Sequence, residues 1–200
     1  MAPAPTPSFT ASDLYLHVRV LISLIVGLAV TRLVSGVADF IQHPGRQKLL
    51  LVHLGWVVWA LLNAVAMWWW EFRLSQIVHW TFGLYVFILL YASMYYLLAV
   101  LLFPEDLGEY IDFQDYFLSR RKWFFGMAIL TELMDVVDTW IKGDQHMSAL
   151  GLEYAARIVF LIVLFAIGAG ARSLVIQRIL VVLALICEVI FFSRHYGVLT

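Results

Sequence analysis

The stretch Trp123–Ile141, WFFGMAILTELMDVVDTWI, has the length and apolar character of a membrane-crossing helix but carries three carboxylates. These are Glu132, Asp135 and Asp138, and each is costly to place in hydrocarbon. Acidic groups in such a segment usually face the interior of a helix bundle or a water-filled cavity. The stretch therefore predicts a helical membrane fold and, inside it, a polar site.

The composition of the whole chain agrees with a membrane location. Of the 200 residues, 63% are hydrophobic and 14% are charged, whereas a soluble domain is typically about 45–50% apolar. The net charge of −1 gives no basic field for nucleic acid, so the lipid bilayer is the expected partner. The one cysteine, Cys187, excludes an internal disulfide and a cysteine-based metal site.

Hydropathy and turn residues divide the chain into six apolar segments of about 20 residues or more, enough to cross roughly 30 Å of hydrocarbon. Their predicted bounds are 14–41, 49–72, 79–103, 123–141, 150–169 and 174–192. We expect an all-α fold, a polytopic bundle of six transmembrane helices at residues 14–196. A disordered segment at residues 1–13 precedes it, and Ser12 or Asp13 caps the first helix. Aromatic residues between 106 and 120 predict a further helix lying on the membrane surface.

The charges of the connecting loops predict the orientation of these segments. If the N-terminus faces outward, seven arginines and lysines fall on the inner side and three on the outer side. Positive charge favours the inner side, so we expect both termini outside, which in a bacterium is the periplasm. In this orientation each of the six segments brings ionisable side chains to the outer half of the bundle. The pattern predicts an outward-facing polar cavity.

The candidate ion- or proton-binding residues are four carboxylates: Glu132, Asp135, Asp138 and Glu188. The first three follow one another at three-residue spacing and share a broad helix face. Like charges this close cannot all ionise in a dry interior, so at least one is expected to hold a proton. Alternatively, the group coordinates a hard cation such as Ca²⁺ or Mg²⁺, or it is neutralised by ion pairs.

Three arginines inside the predicted helices are the candidate charge partners of these acids: Arg19, Arg32 and Arg157. An arginine within a membrane segment must find an acid or water, and Arg32 lies well inside the first segment. For Arg19 the alternative is snorkelling to the lipid headgroups. Arg157 follows Glu153 by four residues, and that spacing predicts an ion pair on one helix face.

Secondary candidates lie at the outer ends of the first three segments: His17, Glu71 and His79. Two histidines at matched depth could hold a transmembrane haem, and the three residues together could bind zinc. Neither spacing is specific, so we expect no cofactor, with haem or a divalent cation as the open alternatives. The sequence has no phosphate-cradling glycine loop, no H-E-x-x-H pair and no G-x-S-x-G elbow, so it assigns no enzyme.

Four phrases of the sequence carry a resemblance to a family. They are GLAVTRLVSG at 27–36, HPGRQKLLLVHLGWVVWALL at 43–62, WWWEF at 68–72 and LLFPEDL at 101–107. In these phrases the chain resembles small inner-membrane proteins that are widespread in bacteria and have no assigned activity. The resemblance implies a bacterial inner-membrane location and carries over no functional residue.

Two functions from different classes stay open at this point. A proton or cation channel or transporter would use the outward-facing cavity, with Glu132 as its deepest acid. A non-catalytic accessory or scaffold subunit would pack against a larger membrane complex. Small residues at four-residue spacing in the first segment would let another helix approach closely and predict a homo-oligomer for the transport function: Ser23, Gly27, Thr31 and Ser35.

Overall fold

A computed structural model describes residues 10–42, 51–104, 108, 110 and 112–195, and within them it confirms the all-α fold. These residues form six α-helices and one short 3₁₀ helix. In chain order they are α1 Ala11–Gln42, α2 Leu51–Trp70, the 3₁₀ helix Glu71–Gln76, α3 Phe82–Leu102, α4 Phe113–Ile141, α5 Asp144–Gly170 and α6 Leu174–His195.

The start of α1 differs from the prediction because Thr10, rather than Ser12 or Asp13, caps the helix. The Asp13 backbone N–H donates to Thr10 Oγ1 over 3.2 Å, and the Thr10 backbone N–H donates to Asp13 Oδ2 over 3.0 Å. This reciprocal pair satisfies amides at the helix start, so the chain is already helical from Ala11. Of the predicted disordered segment 1–13, residues 1–9 lie outside the described residues.

Five of the helices are long and apolar enough to cross a membrane: α1, α2 together with the 3₁₀ helix, α3, α5 and α6. The helix α4 is not among them, because Glu132, Asp135 and Asp138 place three charged side chains in its C-terminal half. Its length is sufficient, since 29 residues extend about 43 Å at a rise of 1.5 Å per residue.

The bundle is arranged around α2, the most buried of the five apolar helices. It packs against α1, α3 and α6 and touches α4 over a smaller area. The approach to α6 is close at Gly55, where an added Cβ would lie 2.7 Å from Val181 Cγ2. The most extensive contacts join α1 to α3 and α4 to α5, and α4 also packs against α3, so α4 lies between α3 and α5.

One local prediction differs from the structure, and a second one stays a prediction. The predicted surface helix at 106–120 is not a separate element in its described part, because residues 113–120 are the first turns of α4. Residues 106, 107, 109 and 111 lie outside the described residues. On α1, the small residues at 23, 27, 31 and 35 are all exposed, and nothing lies within 4 Å of a Cβ added at Gly27. Ser23 accepts a hydrogen bond from Trp68 of α2, whereas the face around Gly27 is open to another helix, so the homo-oligomer stays a prediction.

The start of α5 is bent toward the end of α2. Helix α5 begins at Asp144, in a region predicted to be a loop, and Gly151 interrupts it with φ +62° and ψ −158°. Side chains other than that of glycine are strained at such a φ. The turn before the interruption carries His146, whose ring centroid lies 4.9 Å from that of Trp70. This bend places the α4–α5 junction beside the end of α2, where the polar residues meet.

Candidate functional site

Arg157 of α5 lies among three carboxylates from neighbouring helices, and we call these four residues the Arg157 centre. Its Nε and Nη2 atoms lie 3.1 and 3.3 Å from the two carboxylate oxygens of Glu188 on α6. Nη2 also lies 3.6 Å from Glu132 Oε2, and Nη1 lies 3.6 Å from Asp135 Oδ2. Glu188 is completely buried, so the paired hydrogen bonds from arginine replace the hydration that its charge has lost.

A second group, which we call the Lys142 centre, lies at the end of α4 and consists of Lys142, Glu71 and Asp138. Lys142 Nζ is 3.0 Å from Glu71 Oε1 and 2.5 Å from Asp138 Oδ2. Burial disfavours the ammonium, but the charges of Asp138 and Glu71 outweigh burial and raise the pKa of Lys142 above its ordinary value. The lysine is therefore charged, and it ties the end of α2 to the end of α4.

Tyrosine hydroxyls connect Asp135 to α3 and α5. Tyr91 donates to Asp135 Oδ1 over 3.1 Å, and Tyr154 donates to Asp135 Oδ2 over 3.0 Å. The hydroxyl of Tyr95 lies 3.1 Å from that of Tyr91, and Thr139 Oγ1 lies 3.1 Å from that of Tyr154. Asp135 is thus held by two donors in addition to Arg157, and a chain of hydrogen bonds crosses three helices.

A small polar cavity lies between the two centres. It offers about 20 Å³ to the centres of water-sized molecules, which is room for one or two waters. Side chains of α2 to α6 and of the 3₁₀ helix line it, among them Asn63, Glu71, Tyr91, Glu132, Asp135 and Arg157. Glu71 and Glu132 each keep one buried oxygen, Oε2, that no donor in the described residues satisfies. A water in the cavity would supply the missing hydrogen bonds.

The charges of this region do not balance. The two centres bring together five carboxylates, and among the described residues the cations that contact them are Lys142 and Arg157. A low-dielectric interior does not tolerate three uncompensated negative charges. The region can therefore hold protons on its carboxyl groups or attract a further cation.

The four predicted acids all lie in this region, but the three acids of α4 do not form a single group. Glu132 and Asp135 contact Arg157 together with Glu188, whereas Asp138 contacts Lys142. The reason is geometric, because Asp138 lies about one turn nearer the end of α4 than Asp135 and nearly two turns nearer than Glu132. Among the secondary candidates, Glu71 belongs to the Lys142 centre.

Three side chains of the site are absent from the candidates that the sequence offers: Lys142, Tyr91 and Tyr154. The spacing of four residues between Asp138 and Lys142 is a usable signal for an ion pair. No spacing rule links either tyrosine to Asp135, because these contacts join different helices.

Of the three predicted charge partners, only Arg157 lies in the site. Arg32 donates from Nη2 to the backbone oxygen of Phe103, at the end of α3, over 2.7 Å. The Arg19 guanidinium lies over the ring of Phe72, 3.8 Å from its centroid. Neither contacts a carboxylate among the described residues, so the acids of α4 depend on Arg157 and Lys142 for compensation.

The predicted ion pair between Glu153 and Arg157 is wrong. Glu153 Oε1 lies 3.0 Å from Arg194 Nη1, and its Oε2 lies 3.5 Å from His195 Nε2. Arg157 instead turns into the bundle toward Glu188. No water competes for the buried carboxylate of Glu188, which therefore attracts the arginine more strongly than the partly exposed carboxylate of Glu153 does.

The two candidate histidines lie away from both centres. His17 is exposed and stacks on Tyr85 with 6.2 Å between ring centroids. His79 is exposed between the 3₁₀ helix and α3. Across the described ranges, no three His, Cys, Asp or Glu side chains are arranged to hold a metal ion. At the Arg157 centre, the guanidinium occupies the position among the carboxylates that a divalent cation would need.

The helices and their buried polar region define an all-helical protein, and five helices of membrane-crossing length and hydropathy are consistent with an integral membrane protein. Among the described residues the two centres take their side chains from the 3₁₀ helix, α4, α5, α6 and Lys142, and α3 reaches them through the hydroxyl of Tyr91. In the described part of the chain the helices α1 and α2 contribute no side chain to either centre, so the predicted convergence of all six segments is not found there. Comparison with protein-family models, with curated proteins and with solved structures finds no match for this chain. The function must therefore be inferred from the site itself.

Proposed function

We propose that this chain is a six-span integral membrane protein that takes up and releases protons at the Arg157 and Lys142 centres and thereby moves a proton or a cation across the bilayer. The observation that carries the proposal is the imbalance of buried charge, five carboxylates in contact with two cations. Acidic residues inside membrane helices are typical of proton relays and ion pathways.

In this proposal α4 also crosses the membrane, in addition to the five apolar helices. It packs between α3 and α5, which are both apolar enough to cross a membrane. Its acids are turned into the bundle, since Glu132 is 3% and Asp138 1% exposed. Pairing with Arg157 and Lys142 lowers the cost of these charges at membrane depth. A hydropathy average does not include such pairing, so it underestimates how well α4 is accommodated in a membrane.

Glu132 is the carboxyl group that we expect to exchange its proton. Asp135 accepts hydrogen bonds from two tyrosines, and Glu188 has both oxygens on Arg157, so these two are stabilised as anions. Glu132 approaches Arg157 only to 3.6 Å, and its Oε2 accepts no hydrogen bond from the described residues. Because it lines the cavity, a water there can deliver or accept its proton.

The cavity also connects Glu132 with the Lys142 centre. Glu71 lines the same cavity, and its Oε2 lacks a donor within the described part of the chain. One or two waters would join the two carboxyl groups by hydrogen bonds. A proton would then have a path from Glu132 on α4 toward the end of α2, while the tyrosines keep Asp135 in place beside it.

Proton flux into liposomes tests the proposal. With a potassium diffusion potential across the vesicle membrane, the purified protein should acidify the vesicle interior. Glu132→Gln keeps the size of the side chain but cannot exchange a proton, so the rate should fall by about tenfold or more. Glu132→Asp should retain part of the rate. Glu153→Gln is the matched control, because its carboxylate is partly exposed and pairs with Arg194 outside the centres.

Two outcomes would contradict the proposal. Wild-type vesicles without flux above that of protein-free vesicles would remove the transport function. Flux in Glu132→Gln equal to that of Glu153→Gln would remove Glu132 from the path. Thermal unfolding and gel-filtration profiles of the variants should match the wild type, so that a loss of flux is not a loss of fold.

The exposed face of α1 supports a second candidate, a non-catalytic accessory or scaffold subunit of a larger membrane complex. The most apolar part of α1 is only 22% buried, the lowest value of the five apolar helices. Gly27 on this face leaves open space, so the backbone of another helix could approach closely. A stoichiometric partner retained through purification favours this function, and a monomer with proton flux contradicts it.

Location and orientation belong to the proposal as well: a bacterial inner membrane, with both termini on the periplasmic side. The support for the orientation is the loop charge, with seven arginines and lysines on the inner side against three on the outer side. A phosphatase that is active only in the periplasm, fused to the C-terminus, should show activity, and an inactive fusion would reverse the orientation.

A further inference from the structure

A groove on the outside of the bundle runs along α1 next to the end of α2. It has a volume of about 500 Å³ and is lined by Leu16, Arg19, Val20, Ser23, Leu24 and Trp68. The three aliphatic side chains are spaced four residues apart and are 55–61% exposed. They therefore form an apolar track about 12 Å long on one helix face.

Arg19 is fixed in this groove by aromatic rings. Its guanidinium lies 3.8 Å from the centroid of Phe72 and 5.5 Å from that of Trp68. The Trp68 indole in turn donates to Ser23 Oγ over 2.9 Å, and the Ser23 hydroxyl donates to the backbone oxygen of Arg19 over 2.8 Å. The cation is thus held in place by stacking and by a closed set of contacts between α1 and α2.

The guanidinium of Arg19 keeps its hydrogen-bond donors available. No carboxylate of the described residues lies within ion-pair distance of it, and no acceptor in them takes a hydrogen bond from its side chain. The adjacent tryptophans at the end of α2 are typical of the level of the lipid headgroups. A fixed cation with free donors therefore lies at that level, beside an apolar track.

We propose that this groove binds one anionic phospholipid, with its phosphate on Arg19 and an acyl chain along Leu16, Val20 and Leu24. Arginine presents paired donors that match two phosphate oxygens. A lipid with net negative charge is preferred over a zwitterionic one, because among the described lining residues no carboxylate is available for a choline or ethanolamine ammonium. The proposal does not depend on proton transfer at the two centres.

Native mass spectrometry of the full-length protein tests this site. The protein is purified in detergent and incubated with phosphatidylglycerol or phosphatidylcholine. One bound phosphatidylglycerol should survive release from the micelle, and Arg19→Gln should weaken its binding by about fivefold, the effect of one cation near an anionic lipid. Arg73→Gln is the matched control, because Arg73 also lies beside a tryptophan, 5.7 Å from the Trp70 centroid, but does not line the groove.

A second variant separates lipid binding from loss of fold. Val20→Trp fills the groove from the lipid-facing side of α1 and should reduce phosphatidylglycerol binding without lowering thermal stability in detergent. Equal binding of the two lipids by the wild type overturns the proposal, as does unchanged binding in Arg19→Gln. A dimer that Val20→Trp dissociates, with no lipid bound in the wild type, would show that a second copy of the chain covers this face instead.

Discussion

The surroundings of His53 and of Glu132 differ in kind, although the two side chains are 1% and 3% exposed. His53 lies in the first turn of α2, enclosed by an aromatic box that we define as Phe40, Phe103, Phe113 and Phe117, with ring centroids 5.2–6.4 Å from its own. Neither of its ring nitrogens has a hydrogen-bond partner among the described residues. Glu132 lies among charges and hydroxyls near the other end of the bundle.

The difference shows two ways in which a helical membrane bundle can bury an ionisable group. In the aromatic box the histidine behaves as a flat ring, and neutral packing replaces hydrogen bonds. At the two centres each charge is kept by an opposite charge, and the acids outnumber the cations. At the two centres, loss of a proton or of an opposite charge changes the stability of the remaining charged groups. A site that exchanges protons needs this sensitivity.

The largest effect is expected when Arg157 is removed. Arg157→Met keeps a long apolar stem but leaves the buried Glu132 and Glu188 and the half-buried Asp135 without their cation. The change should cost about 3–5 kcal/mol of unfolding free energy. Unfolding of the purified protein by SDS titration in mixed micelles measures this change. Arg178→Met is the control, because Arg178 is exposed on α6 and its loss should change the free energy by less than about 0.5 kcal/mol.

A double variant sharpens the same comparison. In Arg157→Met with Glu188→Leu, the most buried carboxylate is removed together with its partner, so the loss should be smaller than the sum of the two single losses. Additive losses would mean that the pair is not coupled in the folded protein. A loss in Arg157→Met no larger than that in Arg178→Met would contradict the Arg157 centre as a whole.

The sequence predicts the class of fold and most helix bounds because hydropathy and helix length are local properties. Helix α3 was expected at 79–103 and is found at Phe82–Leu102, and α6 was expected at 174–192 and ends at His195. The region of the site was also predictable, since acids in an apolar segment must face the bundle interior. These inferences need only one helix at a time.

The pairing of charges could not be predicted because it depends on how the helices are arranged. Glu71 and Lys142 are 71 residues apart in the chain and 3.0 Å apart in space. The spacing of Glu153 and Arg157 favoured a pair on one helix, but the more deeply buried Glu188 takes the arginine. Burial decides between competing partners, and burial is a property of the whole bundle.

An intermediate effect is expected at the Lys142 centre. Lys142→Met leaves Glu71 and Asp138 together, and a proton taken up from solvent can compensate for part of the lost cation. The loss should therefore be about 1–3 kcal/mol, smaller than at Arg157. Because the folded variant then binds more protons than the unfolded chain, its stability should fall as pH rises, so that SDS titration gives a larger loss at about pH 8 than at about pH 5.

The wild type provides the reference for this pH dependence. Partners raise the pKa of Lys142, so its contribution is complete below the ordinary lysine value and is lost only as pH rises through the higher value of the folded protein. Below the ordinary pKa of lysine, any change with pH in the difference in unfolding free energy between wild type and variant therefore comes from the carboxyl groups. Lys122→Met, at an exposed position of α4, should show no such trend, and the same loss at both pH values in Lys142→Met would contradict the shared proton.

The smallest effect is expected in the aromatic box, where His53→Leu should change the unfolding free energy by less than about 1 kcal/mol. The substitution removes two nitrogens that have no hydrogen-bond partner among the described residues and replaces the ring by a side chain of similar volume. Liposome flux should equal that of the wild type, because the box lies roughly 27 Å from Glu71 along α2 at 1.5 Å per residue.

A loss above about 2 kcal/mol would mean that a nitrogen of His53 does bind a partner, since apolar packing alone does not distinguish histidine from leucine by that much. A loss of flux at unchanged stability would place His53 on the proton path. The aromatic box and the two centres would then be parts of one path, and they would not represent two different ways of burying an ionisable group.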